Sequence, residues 1–405
     1  MKFNLNHWSV DLLGGCSGIA IALGLVRFDF GLIGSLMADA QWIDVEDIGT
    51  LAAINMLGYL AGCIQQAYVK NRNASVKYIR IAIITIIGSI ILEGRLIHFT
   101  SQSLLRLLCG WGAAHVVSGI PTLALERVPE QWQRKATGLI MCGGGVGSLI
   151  GAVCIGLLAP RSAALAWNVL AVLTITLSLP ILKLVTRKRV SQTADSKQAS
   201  QPDQFREPEF GIQKTKQLIS LIILGFALMQ IGQVPAILYE PLVAVHKIGL
   251  SPMISSNIDS LFGVGLIIGG LVPTVAPQQL TTRLFLPLIA GVGFSGVILF
   301  GLSNNIALLS TSIFLIGLWD MMTGTLTLDR LGQLCDEDSQ RRAWSTATSV
   351  GALGFILFSS ATANLSKHNI DLILRLGVIA VAIQLVAEMI QYARSGEQKP
   401  QRVTG

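Results

Sequence analysis

The sequence predicts an all-α integral membrane protein of about twelve transmembrane helices, arranged as two six-helix pseudo-repeats. Three observations carry this prediction. First, 52% of the 405 residues are hydrophobic and only 13% are charged, where soluble domains carry about 25% charged residues; mean hydropathy is +0.61. Second, about twelve apolar windows reach the roughly 20 residues that a helix needs to cross the hydrocarbon core of a bilayer. Third, glycine and charge landmarks recur along the chain at one constant offset, 207 residues. Barrel strands would be shorter and would alternate in polarity, which these windows do not.

The windows follow in order. The first, 10–37, carries Arg27 and Asp29 and precedes Ala38-Asp39-Ala40, a small-residue pattern of the kind found at signal-cleavage sites. The run is too long and too charged for a signal h-region, so it reads as the first helix. Windows two and three, 47–68 and 78–98, flank a basic loop with Lys70, Arg72 and Lys77; windows four and five, 102–126 and 135–159, flank Arg134 and Lys135. Window six, 163–186, runs into the polar stretch 187–215, a linker that contains Pro202 and Pro208. Window seven, 216–245, contains Pro235, which should kink or break it. The remaining windows are 253–276, 283–304, 306–330, 342–366 and 369–393. The expected organisation is a six-helix bundle over 1–186, a cytoplasmic linker over 187–215, a second bundle over 216–395 and a cytoplasmic tail over 396–405.

The net charge of +7 is a matter of topology. Lys and Arg gather in alternate loops, in the linker, at Arg341 and Arg342 and in the tail, while the first loop is acidic with Asp39, Asp44, Glu46 and Asp47. The positive-inside rule then places both termini in the cytoplasm of a plasma or inner membrane, and the surplus implies no nucleic-acid partner. Five of the six cysteines, Cys16, Cys63, Cys109, Cys142 and Cys154, sit in apolar windows; the sixth is Cys335, and none forms a Cys-x-x-Cys pair. They read as small packing residues, with no disulfide framework, metal site or cofactor.

The repeat is visible in particular residues. Gln133-Arg134-Lys135-Ala136 recurs as Gln340-Arg341-Arg342-Ala343, and the same 207-residue offset takes Gly58 to Gly265, Gly62 to Gly269, Gly110 to Gly317, Gly144 to Gly351 and Gly147 to Gly354. Glycines spaced by four, as in Gly143/Gly147/Gly151, let helices approach closely. Internal repeats are common in transporters, whose binding sites lie at the repeat interface.

Several segments resemble a known family. The six-linker-six layout is similar to the major facilitator superfamily. "GLVRFDFGLIGSLM" in the first helix, "LGYLAG" in the second and "RKATGLIMCGGGVGSLIG" entering the fifth resemble its YbfB/YjiJ-type branch, and Arg106-x-x-x-Gly110-x-Gly112 is similar to a general superfamily motif. The resemblance implies a secondary transporter working by alternating access, with a site lined by helices one, four, seven and ten and with Arg106 in proton coupling. Two positions depart from the pattern. Where the superfamily's loop between helices two and three carries Asp-Arg and then Gly, this chain has Gln66, Ala67 and Val69; where antiporters have Gly-Pro in helix five, it has Gly147-Ser148.

Ions inside a bilayer cost roughly 2.5–3.5 kcal/mol each on insertion scales, so polar residues in the windows are the candidates for substrate or proton binding. Arg27 and Asp29, two residues apart, point to different helix faces; Arg27 would bind an anionic group or a carboxylate on another helix. Asp320 shares a face with Thr323, Gly324 and Thr327, a cavity-like stripe, and the structural alternative is a pair with Arg106 or Arg27. His115 is expected to bond a carbonyl in packing. Gln230 and Gln233 lie one turn apart, before Pro235 and Glu240, at a possible gate, with Glu240 near water at the outer end. Asn55 and Tyr59 read as packing, and Glu93, Arg95 and His98 as interfacial. No Walker A, His-Glu-x-x-His or Gly-x-Ser-x-Gly motif occurs, and the Gly143–Gly147 run has no preceding strand, so no enzyme is predicted. The expected partners are a small-molecule substrate, protons and the lipid bilayer, with the chain acting as a monomer. A facilitative uniporter or a non-transporting sensor on the same fold is the alternative function.

Overall fold

A computed structural model describes residues 9–69, 72–187, 212–275, 282–335, 337–366 and 369–395. The central part of the linker and the tail lie outside these. Twelve helices in the described residues are long and apolar enough to cross a membrane, and no strand occurs among those residues. They are α1 (Ser9–Asp39), α2 (Val45–Ala67), α3 (Arg72–Glu93), α4 (Phe99–Leu125), α5 (Glu130–Leu158), α6 (Ala163–Thr186), α7 (Ile212–Lys247), α8 (Pro252–Val275), α9 (Thr282–Gly301), α10 (Ile306–Leu334), α11 (Glu337–Ser366) and α12 (Ile370–Ser395). Polar residues punctuate them: Ser162 Oγ accepts from Leu165 N–H at 3.3 Å and Asn305 Oδ1 accepts from Leu308 N–H at 3.0 Å, capping α6 and α10.

Burial sorts the helices. In its most apolar stretch α1 is 89% buried and α7 is 78% buried, against 39% for α3, α9 and α12. The first two are central, and the others present Ile84, Leu288 and Ile379 outward as a lipid-facing surface.

The sequence repeat becomes a repeated helix crossing. A Cβ on Gly110 of α4 would stand 1.8 Å from the Asn55 carbonyl of α2, and one on Gly58 would stand 2.0 Å from the Leu107 carbonyl. At the equivalent positions a Cβ on Gly317 of α10 would stand 2.3 Å from the Phe262 carbonyl of α8, and one on Gly265 would stand 2.3 Å from the Phe314 carbonyl. Backbone lies against backbone in both halves, which only glycine permits.

The two central helices are broken. In α1 the stretch Ala20–Phe28 winds as a π-helix, so Asp29 N–H reaches Gly24 O, five residues back, at 3.1 Å. In α7 the winding interrupts at Gln233, just before Pro235, as the proline predicts. Such breaks free backbone carbonyls and are frequent at functional sites.

The seam between the halves is uneven. The α1 segment Phe30–Asp39 packs on the α7 segment Val234–Leu242, and a Cβ on Gly31 would meet the Ile237 carbonyl at 2.0 Å. At the other end, which carries Ser9 and Ser395, Ser9–Ile19 packs chiefly on α4, α5 and α6, while Ile212–Gly232 packs chiefly on α10, α11 and α12. The seam is therefore closed at the end opposite the chain ends. The α5–α8 and α2–α11 pairs hold the halves together.

Candidate functional site

The widened turn of α1 aims Arg27 across the seam into the second half. Its Nη2 donates to Gln230 Oε1 of α7. With the Gln233 amide turned so that its nitrogen faces the acid, Nε2 donates to both carboxylate oxygens of Asp320 in α10, at 2.9 and 3.1 Å, and its oxygen accepts from Arg27 Nη2 at 3.1 Å. The guanidinium lies 5.5 Å from the Phe28 ring centroid and 5.4 Å from that of Phe355 in α11, a cation–π setting. Asp320, Gln230 and Gln233 are buried. Arg27 and Asp320 thus form a relayed pair, with an amide as the bridge. The structural alternative, a direct pair of Asp320 with Arg27 or Arg106, is not found among the described residues: Gln233 stands between Asp320 and Arg27, and Arg106 is engaged elsewhere.

In the rest of the α10 stripe Gly324 is half-buried, and a Cβ there would meet the Phe226 ring at 3.9 Å. Thr323 and Thr327 are fully buried, and neither hydroxyl has a hydrogen-bond partner.

Arg106 braces the α1 break. Its Nη2 donates to Val26 O at 2.8 Å, inside the π-helical stretch, and its guanidinium stacks 4.0 Å from the Phe30 ring centroid. Its Nη1 lies 3.9 Å from Glu93 Oε1, and Asn55 Nδ2 donates to its backbone carbonyl at 2.9 Å. Glu93, expected at the interface, is wholly buried here; Arg95 and His98 are exposed. A buried arginine needs a counter-ion, and Glu93 is near enough to be one.

His115 bonds side-chain amides rather than a carbonyl of the main chain. Its Nε2 is 3.0 Å from Gln65 Oε1 and its Nδ1 is 2.8 Å from Gln66 Oε1. Trp111 Nε1, which can only donate, donates to Gln65 Oε1 at 2.7 Å. Tyr78 stacks on the ring at 5.0 Å. Gln66 occupies the position where the superfamily loop has Asp, and here it serves this cluster.

Asp29 and Glu240 are both fully buried at the closed end of the seam. Glu240 is therefore shielded, against the expectation of water access, because the α1–α7 contact covers it. They belong to a group apart from Arg27 and Asp320.

Residues 19–391 match the model of a family described as "Uncharacterised MFS-type transporter YbfB". The chain belongs to that family. No curated protein matches the sequence. Among solved structures, a bacterial homolog of the human lysosomal transporter Spinster, inward-facing and unoccupied, is 12% identical with a TM-score of 0.68, covering 97% of this chain and 98% of that one. The same homolog, inward-facing and occupied, is 13% identical with a TM-score of 0.67, covering 98% of both chains. The nucleoside transporter NupG is 13% identical with a TM-score of 0.68, covering 96% of this chain and all of NupG (100%). At these identities the likeness establishes the major facilitator fold. The chain is thus an integral membrane protein of a transporter family.

In this YbfB-type chain the sequence reading missed four buried ions, one of them Asp11 of α1, which pairs with Arg187 at 2.6 Å. Asp259 of α8, Arg330 of α10 and Glu388 of α12 each interrupt an apolar window, the same signal that singled out Asp320. Glu388 lies within electrostatic reach of Arg330, whose Nη2 donates to Ser395 Oγ at 3.1 Å.

Proposed function

We propose that this chain is a proton-linked secondary transporter that moves a small organic molecule across the plasma membrane by alternating access. The observation that carries the reading is the network in which Arg27 donates to Gln230 and Gln233 and Gln233 donates to Asp320, which crosses the seam where both central helices are broken. Both termini face the cytoplasm, as the basic loops indicate, so the closed end of the seam is the outer one and this state is inward-facing. A proton on Asp320 removes an acceptor of the Gln233 amide, and the amide then turns and frees Arg27 to receive substrate. Release of the proton restores the relay. The substrate binds among Arg27, Gln230 and Gln233, and an anionic or zwitterionic group would suit the arginine.

The test has two stages. Metabolite comparison of a deletion strain with its parent nominates compounds, whose flux is then followed in proteoliposomes. An uncoupler is expected to collapse uphill accumulation, and Asp320→Asn to lose accumulation while keeping counterflow. Unchanged accumulation under both conditions refutes proton coupling. Counterflow with no uphill accumulation under any gradient would favour a uniporter, a reading to which the missing charged loop motif at Gln66 and Val69 lends weight.

A further inference from the structure

Toward the closed end of the seam lie three carboxyl side chains with no ion-pair partner among the described residues. Asp29 comes from α1, Glu240 from α7 and Asp259 from α8. Asp259 lies within electrostatic reach of both others. Asp29 and Glu240 are fully buried and Asp259 is 7% exposed. Neither oxygen of Asp29 has a hydrogen-bond partner, and Glu240 Oε1 and Asp259 Oδ2 have none either. Among the described residues, the hydrogen bond that reaches the Glu240 carboxylate is a long one from Ser255 Oγ, 3.4 Å. No ion pair of the described residues involves any of the three.

A further observation points to something bound there. The wholly buried Ser148 hydroxyl of α5 faces Asp29 without closing a hydrogen bond. Beside it the Asp29 carboxylate fills the space of the side chain that Gly151 lacks, with Oδ2 1.7 Å from where a Cβ would be. The fold thus makes room for a carboxyl group and supplies no partner for its charge. Three ionised acids could not share such a site, because buried like charges repel and each unpaired carboxylate pays its full desolvation cost. Among the described residues the acids do not converge as the ligands of a metal ion would. The chemistry that fits is protonation.

We infer that Asp29, Glu240 and Asp259 form a proton-binding gate, distinct from the Arg27–Asp320 network, whose protonation permits the outer seam to close. When the seam opens, water reaches the acids, they ionise, and their repulsion holds α1 away from α7 and α8. Closure takes protons up from the outer side. The inference rests on the alternating-access reading. The groups facing the acids are Ser148 and Gly151 from α5 and Ser255 from α8. The titratable groups at the mouth of the seam are His246 and Asp39, exposed and 3.8 Å apart.

The gate is read by labelling a cysteine at the seam. The full-length chain, with its six native cysteines replaced, carries Ser35→Cys, a buried position in α1 that lines the small cleft at this end. A membrane-impermeant maleimide is added outside across a range of external pH. Rates are normalised to Ala40→Cys, exposed in the adjoining turn, which removes the pH dependence of an exposed thiol, and the Asn variants below carry the same Ser35→Cys thiol and so separate its own ionisation from the gate. Normalised labelling is expected to rise roughly tenfold from low to high pH. Asp29→Asn with Asp259→Asn should hold it low throughout. Asp259→Asn alone, the mildest change, should flatten the profile in part while the protein stays monodisperse. A profile that is flat in the parent, unchanged in Asp259→Asn, or abolished by His246→Gln overturns the gate. Asp320→Asn leaves the profile in place. Loss of coupled flux in Asp320→Asn with a flat labelling profile overturns the gate alone, and pH-dependent labelling with no flux of any compound overturns the transport reading alone.

Discussion

The two halves share a scaffold and differ in what they bury. In the first half Glu93 and Arg106 face each other between α3 and α4, 3.9 Å apart. The positions 207 residues on are Phe300 and Ile313, both buried. In the second half Arg330 and Glu388 lie within reach of each other between α10 and α12, and their counterparts are the buried Leu123 and Ile181. Each half therefore holds an ionic pair where the other holds an apolar one. Since a well-packed apolar pair is often as stable as a buried ion pair or more so, stability gives no reason for the charges. Arg106 has a visible second task, holding the Val26 carbonyl of the broken α1; Ile313 could not perform it.

The comparison can be broken most forcefully at the shared scaffold. Gly110→Ala drives a Cβ to 1.8 Å from the Asn55 carbonyl, and Gly317→Ala drives one to 2.3 Å from the Phe262 carbonyl. Each should cost about 3 kcal/mol or more, seen as loss of the folded peak in detergent or a large drop in melting temperature. Gly88→Ala, with nothing within 4 Å, serves as the control and should be neutral. If the repeat is only a sequence coincidence, Gly110 and Gly317 will respond unequally.

The ionic pairs come next in size. Arg106→Ile strands Glu93 and should cost about 3–5 kcal/mol. Adding Glu93→Phe, which copies the second half, should recover most of that stability while flux stays lost, because no side chain then holds Val26 O. Recovery of flux along with stability would show that Arg106 matters only for packing. Smaller still, His115→Phe removes the ring's contacts to Gln65 and Gln66 and should cost about 1–2 kcal/mol. The exposed Lys247–Asp371 pair, 3.1 Å apart, should contribute no more than about 1 kcal/mol; Lys247→Ala checks this by thermal melting.

Much of the fold could be read before any coordinates. The twelve windows lie close to the twelve helices, the Pro235 break falls at Gln233, and the Gly58/Gly110 offset returns as a matched crossing. These features are local, or repeat locally, so periodicity and spacing carry them. The site was legible only as a set of suspects. Arg27, Gln230, Gln233 and Asp320 stood out as polar residues in apolar windows, but so did Asp259, Arg330 and Glu388, which were passed over. Thr323 shares a helix face with Asp320 and still does not join its network.

What the sequence determined by itself was the membrane class, the helix count, the duplication and the positions at which backbones must touch. Hydrophobic run length and glycine spacing are properties of single segments, and the bilayer leaves them one solution. Which ion meets which was decided only by tertiary structure. Glu93 meets Arg106, Gln233 meets Asp320 and Glu240 meets Ser255, partners 13 or more positions away brought there by helix crossings and by the closure of α1 on α7. A charge declares its own cost in the sequence, whereas its partner, or the lack of one, belongs to the packing.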